Sequence, residues 1–266
     1  MSITNKAIGS LEILTAQNIL VPHGFTTRLG GVSTGALSSL NISFHRGDDD
    51  ENVVENIRRL GDAVGFDPRK MVLSHQVHSD TIRAVTADDC MGFDHHNYPP
   101  CDALITNTPG LCLMVFTADC TPILLHDPVT GAVGAVHAGW RGTALDLAGK
   151  TVRAMAEAYG SKAENIRAAI GPNIGFCCFQ TDADVPRAMI KTYGDAAQVY
   201  IRPQGDKYYV NLKAINALSL KNAGVTQIAI SDACTVCEHD RFWSHRVTGG
   251  LRGSQGAVIL CKEGRP

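Results

Sequence analysis

FTADCTPILLHDPVTGAVGAVHAGWRG, residues 116–142, holds two short apolar runs separated by the turn-forming string Pro-Val-Thr-Gly. Each run is shorter than a typical helix and bounded by turn residues, so both read as strands of an antiparallel hairpin. Pairing residues 121–127 with 131–137 around Pro128, Val129 and Thr130 closes the turn at one end and leaves the other open. Cys120, entering the first strand, and His137, ending the second, then lie near the same open end. A one-residue slip would turn the two side chains to opposite faces, so their chemistry depends on register.

Outward from the hairpin, MVLSHQV, LCLMVF, IRAAIG, TQIAI and GAVILC are further apolar runs that read as strands. Helical spacing appears three times. Val53, Ile57, Leu60 and Val64 share a face after the acidic DDDE; TALDLAGKTVRAMAEAYG ends in Gly160; LKAINALSLKNAG ends in Gly224. Strands alternating with helices predict an α/β fold, and the hairpin makes its sheet mixed. No linker or repeat interrupts residues 1–266, which read as a single domain.

The chain has 266 residues, is 44% hydrophobic and carries a net charge of −2, enough apolar material for a sizeable core. Its Lys and Arg are scattered, which argues against nucleic acid or an anionic membrane as partner and for a small-molecule ligand. The first residues lack the pattern of a signal peptide and no apolar run reaches a membrane span, so a cytoplasmic protein is expected, as monomer or small homo-oligomer. Nine cysteines, an odd number, read in that setting as buried thiols, metal ligands or a nucleophile, and less readily as disulfides.

A Cys beside a His is either a nucleophile with its base or a pair of ligands for a soft metal. SHQVHSD supplies His75 and His78, and in an extended segment residues three apart face opposite ways, so one of them reaches the same centre. Three ligands would leave zinc an open position for water, while copper accepts the same N and S donors. A buried Cys with two hydrogen-bonded His residues is the plainer alternative.

HGFTTRLGGVSTGALSSLNISFHRGDDD offers Arg28, Asn41, His45 and Arg46 for an anion or a sugar hydroxyl, against a plain surface loop. In HAGWRGTALDLAGK, Gly139, Arg141 and Gly142 either face an anion at a helix start or form an entry turn packed by Trp140. Cys177 and Cys178 are adjacent, so an extended segment would point them apart, and they read as buried thiols. Cys234 and Cys237 have the spacing of a zinc knuckle or redox pair, but only His239 and Cys261 follow nearby, which favours reduced core thiols. FWSHRVTGGLRG, with His245, Arg246 and Arg252, reads as a pocket wall. Asp102 and Asp119 read as strand-end caps, as contacts to a ligating His, or as general acid.

These segments together, GFTTRLGGVSTG…LN, QVHSD, CDALITNTPGLCLMVFTADCTPILLHDP, VHAGWRGT, IGPNIGFCCF and CTVC…FWSHR, resemble the YfiH-type proteins over residues 24–260. That family, long called multicopper polyphenol oxidases or laccase-domain proteins, is now regarded as purine nucleoside phosphorylases with adenosine deaminase activity. TADC with HAGWRG is a highly specific part of the match. The resemblance implies a sandwich of mixed sheets between outer helices, and zinc ligands at His78, Cys120 and His137. Asn173 departs from many relatives, which carry Cys there, but that position is not an implied ligand.

The implied reactions are phosphorolysis of adenosine, inosine, guanosine or methylthioadenosine to base and sugar 1-phosphate, and hydrolytic deamination of adenosine. Cys120 and His137 would act at the reacting centre, with Arg28, Asn41 and His45 on the phosphate and ribose side. The metal would be Zn2+, or Cu2+. Three protein ligands cannot build the multicopper cluster of laccase chemistry, so a copper-dependent polyphenol oxidase is the weaker alternative. A cysteine hydrolase or peptidoglycan-precursor editing enzyme, with Cys120 as nucleophile and His137 as base, is the rival from another class.

Overall fold

A computed structural model of the chain describes residues 2–90, 92–93 and 99–262. The hairpin forms, but its ladder is shifted by one residue from the expected one. Thr121–His126 pairs antiparallel with Val133–Ala138, Thr121 lying opposite Ala138 and His126 opposite Val133. Asp127 is drawn out of the strand into the turn, where its carboxylate accepts hydrogen bonds from Val129 N and Thr130 Oγ1. The shift decides a side-chain direction. Pro122 now faces His137, and residues two apart in an extended chain share a face, so Cys120 falls on the His137 side. Pairing residue 121 with 137 would have separated them.

The hairpin is the centre of a six-stranded sheet, ordered Gln227–Ile230, Arg167–Ile170, Thr121–His126, Val133–Ala138, Ala103–Thr106, Ile82–Ala84. Arg167–Ile170 runs parallel to one neighbour and antiparallel to the other, so the sheet is mixed as predicted. A second six-stranded sheet is ordered Ile3–Ile8, Leu11–Ala16, His23–Thr26, Gln255–Leu260, Cys112–Thr117, Met71–Leu73. Gln180–Thr181, Lys207–Val210 and Ile201–Gln204 make a small third sheet.

Period-two alternation sets the layers. In the central strand, Leu124 joins the core shared with the other large sheet, whereas Ile123 and Leu125 pack with Val152 and Met155 of helix Leu147–Tyr159 and Leu220 of helix Leu212–Asn222. On the far side, helix Asp50–Val64 buries Val53, Ile57 and Leu60 completely, each contributing roughly 1.5–3 kcal/mol. Its acidic start is capped by Asp49, which accepts from Glu51 N, and it stops at Gly65 with φ 91°. The two large sheets therefore pack face to face between helices. Where they meet, Gly171 is pressed against Phe25, whose Cδ1 lies 2.3 Å from where a Cβ would stand.

The helix expected over residues 143–160 is two helices, Trp140–Ala144 and Leu147–Tyr159. Asp146 between them sits at φ 60° and is held there by Ser219 Oγ and Arg153. Twice the chain crosses from the second sheet to the first, between Met71–Leu73 and Ile82–Ala84 and between Cys112–Thr117 and Thr121–His126. These crossovers carry His78 and Cys120.

Candidate functional site

Both crossovers contain a non-glycine residue in the left-handed region, His78 at φ 61° and Asp119 at φ 84°. Each costs about 1–3 kcal/mol and persists only when its surroundings hold it. Asp102, wholly buried beside strand Ala103–Thr106, holds the first: its carboxylate accepts from Val77 N, His78 N and Ser79 N at 3.3, 3.1 and 2.6 Å, and from Ser79 Oγ at 2.8 Å. Asp119 holds itself, accepting from Thr235 Oγ1 at 2.6 Å and Arg246 N at 2.7 Å. Gln76 braces the two crossovers by exchanging hydrogen bonds with Phe116 N and O.

The result is a cluster in which one ligand atom each from His78, Cys120 and His137 lie within 4.8 Å of one another. Cys120 Sγ is 3.7 Å from His78 Nε2, and the two imidazoles meet edge to face with centroids 4.9 Å apart. His137 Nδ1–H donates to Asp102 Oδ1 at 2.8 Å, leaving Nε2 to face Cys120. Gly139 is required here, because a Cβ would stand 2.8 Å from His78 Cδ2 and 3.2 Å from Cys120 Sγ. His75 is not in the cluster; its carbonyl accepts from Cys101 N.

Electrostatics follow from this packing. Burial would raise the Cys120 thiol, but the His137 charge and hydrogen bonds from His137 and His78 outweigh it and bring the thiol down. Burial would lower His137, but Cys120 and Asp102 hold it up. Burial would also raise Asp102, yet its bonds from His137 and Ser79 keep it at about 2. A thiolate, two imidazoles and a carboxylate on the buried imidazole of His137 suit a divalent ion with an open position, and the donor set fits zinc.

Two cavities adjoin the cluster and share His78, Ala118, Cys120 and Arg252. The larger, 240 Å³, is walled by Trp140, Ile174, Phe179 and Leu212, with His245 and Arg246, so the 242–253 segment does form a wall. The smaller, 100 Å³, carries Arg46 and Ser254 as well as His137. Arg252 Nε is buried without a hydrogen-bond partner among the described residues. Burial and the neighbouring Arg46 lower that guanidinium to about 10.

Arg28 and Asn41, expected at the phosphate and ribose side, line neither cavity. Arg28 stacks 3.9 Å from the Trp243 ring centroid and donates to the carbonyls of Ser38 and His239. Asn41 is wholly buried, donating to Ser43 O and Asp48 and accepting from Ser254 N. His45, at φ 44°, also lies outside both linings, while its neighbour Arg46 is in one. Arg141 stacks on Trp140 instead of facing the centre. Ile174, Phe179 and Leu212 escaped sequence reading, since nothing distinguishes a cavity-lining apolar residue from a core one.

The cysteine pairs also depart from expectation. Cys177 and Cys237 are exposed and Cys178 half-buried, so only Cys234 is a core thiol, and the four sulfurs lie within 4.8 Å of one another.

The family model described as multi-copper polyphenol oxidoreductase laccase matches residues 22–262. A Deinococcus radiodurans protein named purine nucleoside phosphorylase is 39% identical over 94% of this chain and 92% of its own. Shigella flexneri purine nucleoside phosphorylase YfiH is 38% identical over 83% of this chain and 86% of its own. The crystal structure of YlmD from Geobacillus stearothermophilus superposes with a TM-score of 0.92 at 35% identity, covering 97% of this chain and 99% of that one. The chain belongs to the multi-copper polyphenol oxidoreductase laccase family, that of the YfiH and YlmD proteins.

Proposed function

We propose that this chain is a metal-dependent purine nucleoside phosphorylase that also deaminates adenosine. Its substrates are adenosine, inosine, guanosine or methylthioadenosine, with phosphate. The observation that carries the reading is the His78–Cys120–His137 centre set between an apolar cavity and a cationic one. Relatives named purine nucleoside phosphorylase support it. Bound at these three side chains, a zinc ion supplies Lewis acidity and an acidified water, and copper accepts the same donors.

The chain's own residues do the rest. Trp140, Ile174 and Phe179 take the purine face and exclude water from it. Arg46 and Arg252 hold the phosphate, whose negative charge relieves their mutual repulsion. His45, next to Arg46, is assigned to the sugar side. Arg28 and Asn41 act by holding the loops, Asn41 through Ser254, whose hydroxyl accepts from Arg252. In phosphorolysis a phosphate oxygen bonds to the sugar C1′ as the C1′–N9 bond breaks, and the departing base takes the electron pair and a proton.

A second reading has its own observation: Cys120, His137 and Asp102 are aligned as nucleophile, base and orienting carboxylate. Convergence of His78 on the same sulfur favours ligation. Adenosine incubated with metal-quantified protein and followed by chromatography tests the proposal. Adenine and ribose 1-phosphate should form only with phosphate present, and inosine with or without it. Failure to convert any of the purine nucleosides, together with immediate alkylation of Cys120 in metal-loaded protein, would favour the cysteine hydrolase.

A further inference from the structure

We infer that Cys177, Cys178, Cys234 and Cys237 form a second metal site, a closed tetrathiolate that takes a soft divalent ion such as zinc and clasps two loops of the cavity wall. The inference does not depend on the proposed function.

Adjacent cysteines point apart only in an extended chain. Here Cys178 N and Phe179 N both donate to Gly175 O at 2.9 Å, and the resulting turn brings Cys177 and Cys178 to one side. Cys234 and Cys237 come from a second turn, closed by Glu238 N donating to Cys234 O. Cys237 Sγ stands 3.6 Å from Cys177 Sγ and 3.4 Å from Cys178 Sγ. Four sulfurs around zinc at about 2.3 Å would be separated by about 3.8 Å, whereas a disulfide needs about 2.05 Å. All nine cysteines are free, so the spacing matches ligation and not cross-linking.

Two further features resemble the surroundings of a thiolate site. Gly175 N donates to Cys234 Sγ at 3.1 Å, and a Cβ on Gly175 would stand 3.1 Å from Cys177 Sγ and 3.2 Å from Cys234 Sγ, so glycine lets the amide reach the sulfurs. The buried Lys213 lies beside the start of the second turn, donating to Ser231 O and Ala233 O, and its positive charge helps offset the two negative charges of a zinc tetrathiolate. Burial does not account for the cluster, because two of its four thiols are exposed.

With four protein donors the site is closed, so its ion has no position for substrate and acts structurally. The first turn continues into Phe179 and follows Ile174, both in the larger cavity wall. The second turn leads to His245 and Arg246 of the same wall, and its Thr235 donates to Asp119 beside Cys120. An ion joining the turns would fix both halves of that wall.

Metal analysis of zinc-reconstituted full chain tests this. Unaltered protein should hold about two ions, H78A/C120S about one, and C178S/C237S should lose the other, by the ligand counts of open and closed sites. Cobalt-loaded H78A/C120S should show the charge-transfer intensity of a tetrathiolate. Should C178S/C237S fail to fold, alkylation of unaltered protein decides. Exposed Cys177 and Cys237 should resist iodoacetamide until a chelator is added. Their prompt alkylation in zinc-loaded protein, a disulfide among the four after reducing purification, or loss of all metal in H78A/C120S would overturn the inference.

Discussion

Asp102 and His137 meet at 2.8 Å, Oδ1 to Nδ1, and the same carboxylate gathers the amides of the segment that carries His78. One side chain thus positions two of the three candidate ligands. Asp102→Asn, which keeps the shape but not the charge or the acceptor pattern, should weaken metal binding about 10–100-fold. Competition against a chromogenic chelator would measure it, and unchanged affinity would remove Asp102 from that role.

Gly139→Ala is a steric test of the same centre. Its backbone, at φ −64°, suits alanine, so the cost lies in the new Cβ pushing on His78 and Cys120. Metal affinity should fall by about tenfold or more, as when a ligand's support is lost, with a thermal midpoint of the metal-free protein close to that of the parent. A large fall in that midpoint would show that the glycine serves the fold instead.

Arg252→Lys should separate phosphate from nucleoside. Lysine keeps the charge but loses the planar fork, so KM for phosphate should rise about tenfold while KM for the nucleoside changes little. Initial rates with each substrate varied in turn would show it. Equal changes in both would place Arg252 elsewhere in the reaction.

His126 gives a pH dependence remote from the cluster. Its ring is buried, accepts from Leu20 N at 3.3 Å, and burial, reinforced by Arg167, lowers it to about 4. Because the folded value lies below the unfolded one of about 6.5, its stabilising contribution is full above about pH 6.5 and is lost as pH falls toward 4. The loss amounts to about 3 kcal/mol by that difference. Denaturant titrations of metal-free protein from pH 7 to 4 should show a steeper decline than the same series on His126→Gln.

Gly171→Ala should damage the sandwich itself. The new methyl group would overlap Phe25, and overpacking of this kind costs about 1–3 kcal/mol. Urea unfolding would measure the loss, and Phe25→Leu in the same chain should recover part of it.

Strands and helices with a strong apolar period were legible in the sequence: Cys112–Thr117, Gln255–Leu260 and Asp50–Val64 all lie where their patterns put them. Ile3–Ile8 was not, because four of its six residues are exposed and leave no apolar alternation to read. The break at Asp146 was hidden by helical residues on both sides, since the long-range contact with Ser219 fixes it. At the site, residue types and the family signature carried His78, Cys120 and His137. The surroundings of Arg28 were not legible, because an arginine in a glycine-rich loop looks the same in sequence whether or not it stacks on a ring such as that of Trp243. Cys234 is the core thiol its pattern suggests, whereas the exposure of Cys177 and Cys237 was not legible, because turns, not strands, present them.

The two crossovers have a consequence for how such a centre is tuned. His78 and Cys120 hang from links between the sheets, and His137 stands on one of them. The gap between the sheets, filled by residues such as Phe25 and Leu124, therefore sets the size of the ligand triangle. Core volume is thereby coupled to the centre: a change in the residues that fill the gap would be felt as a change in ligand spacing without altering any ligand.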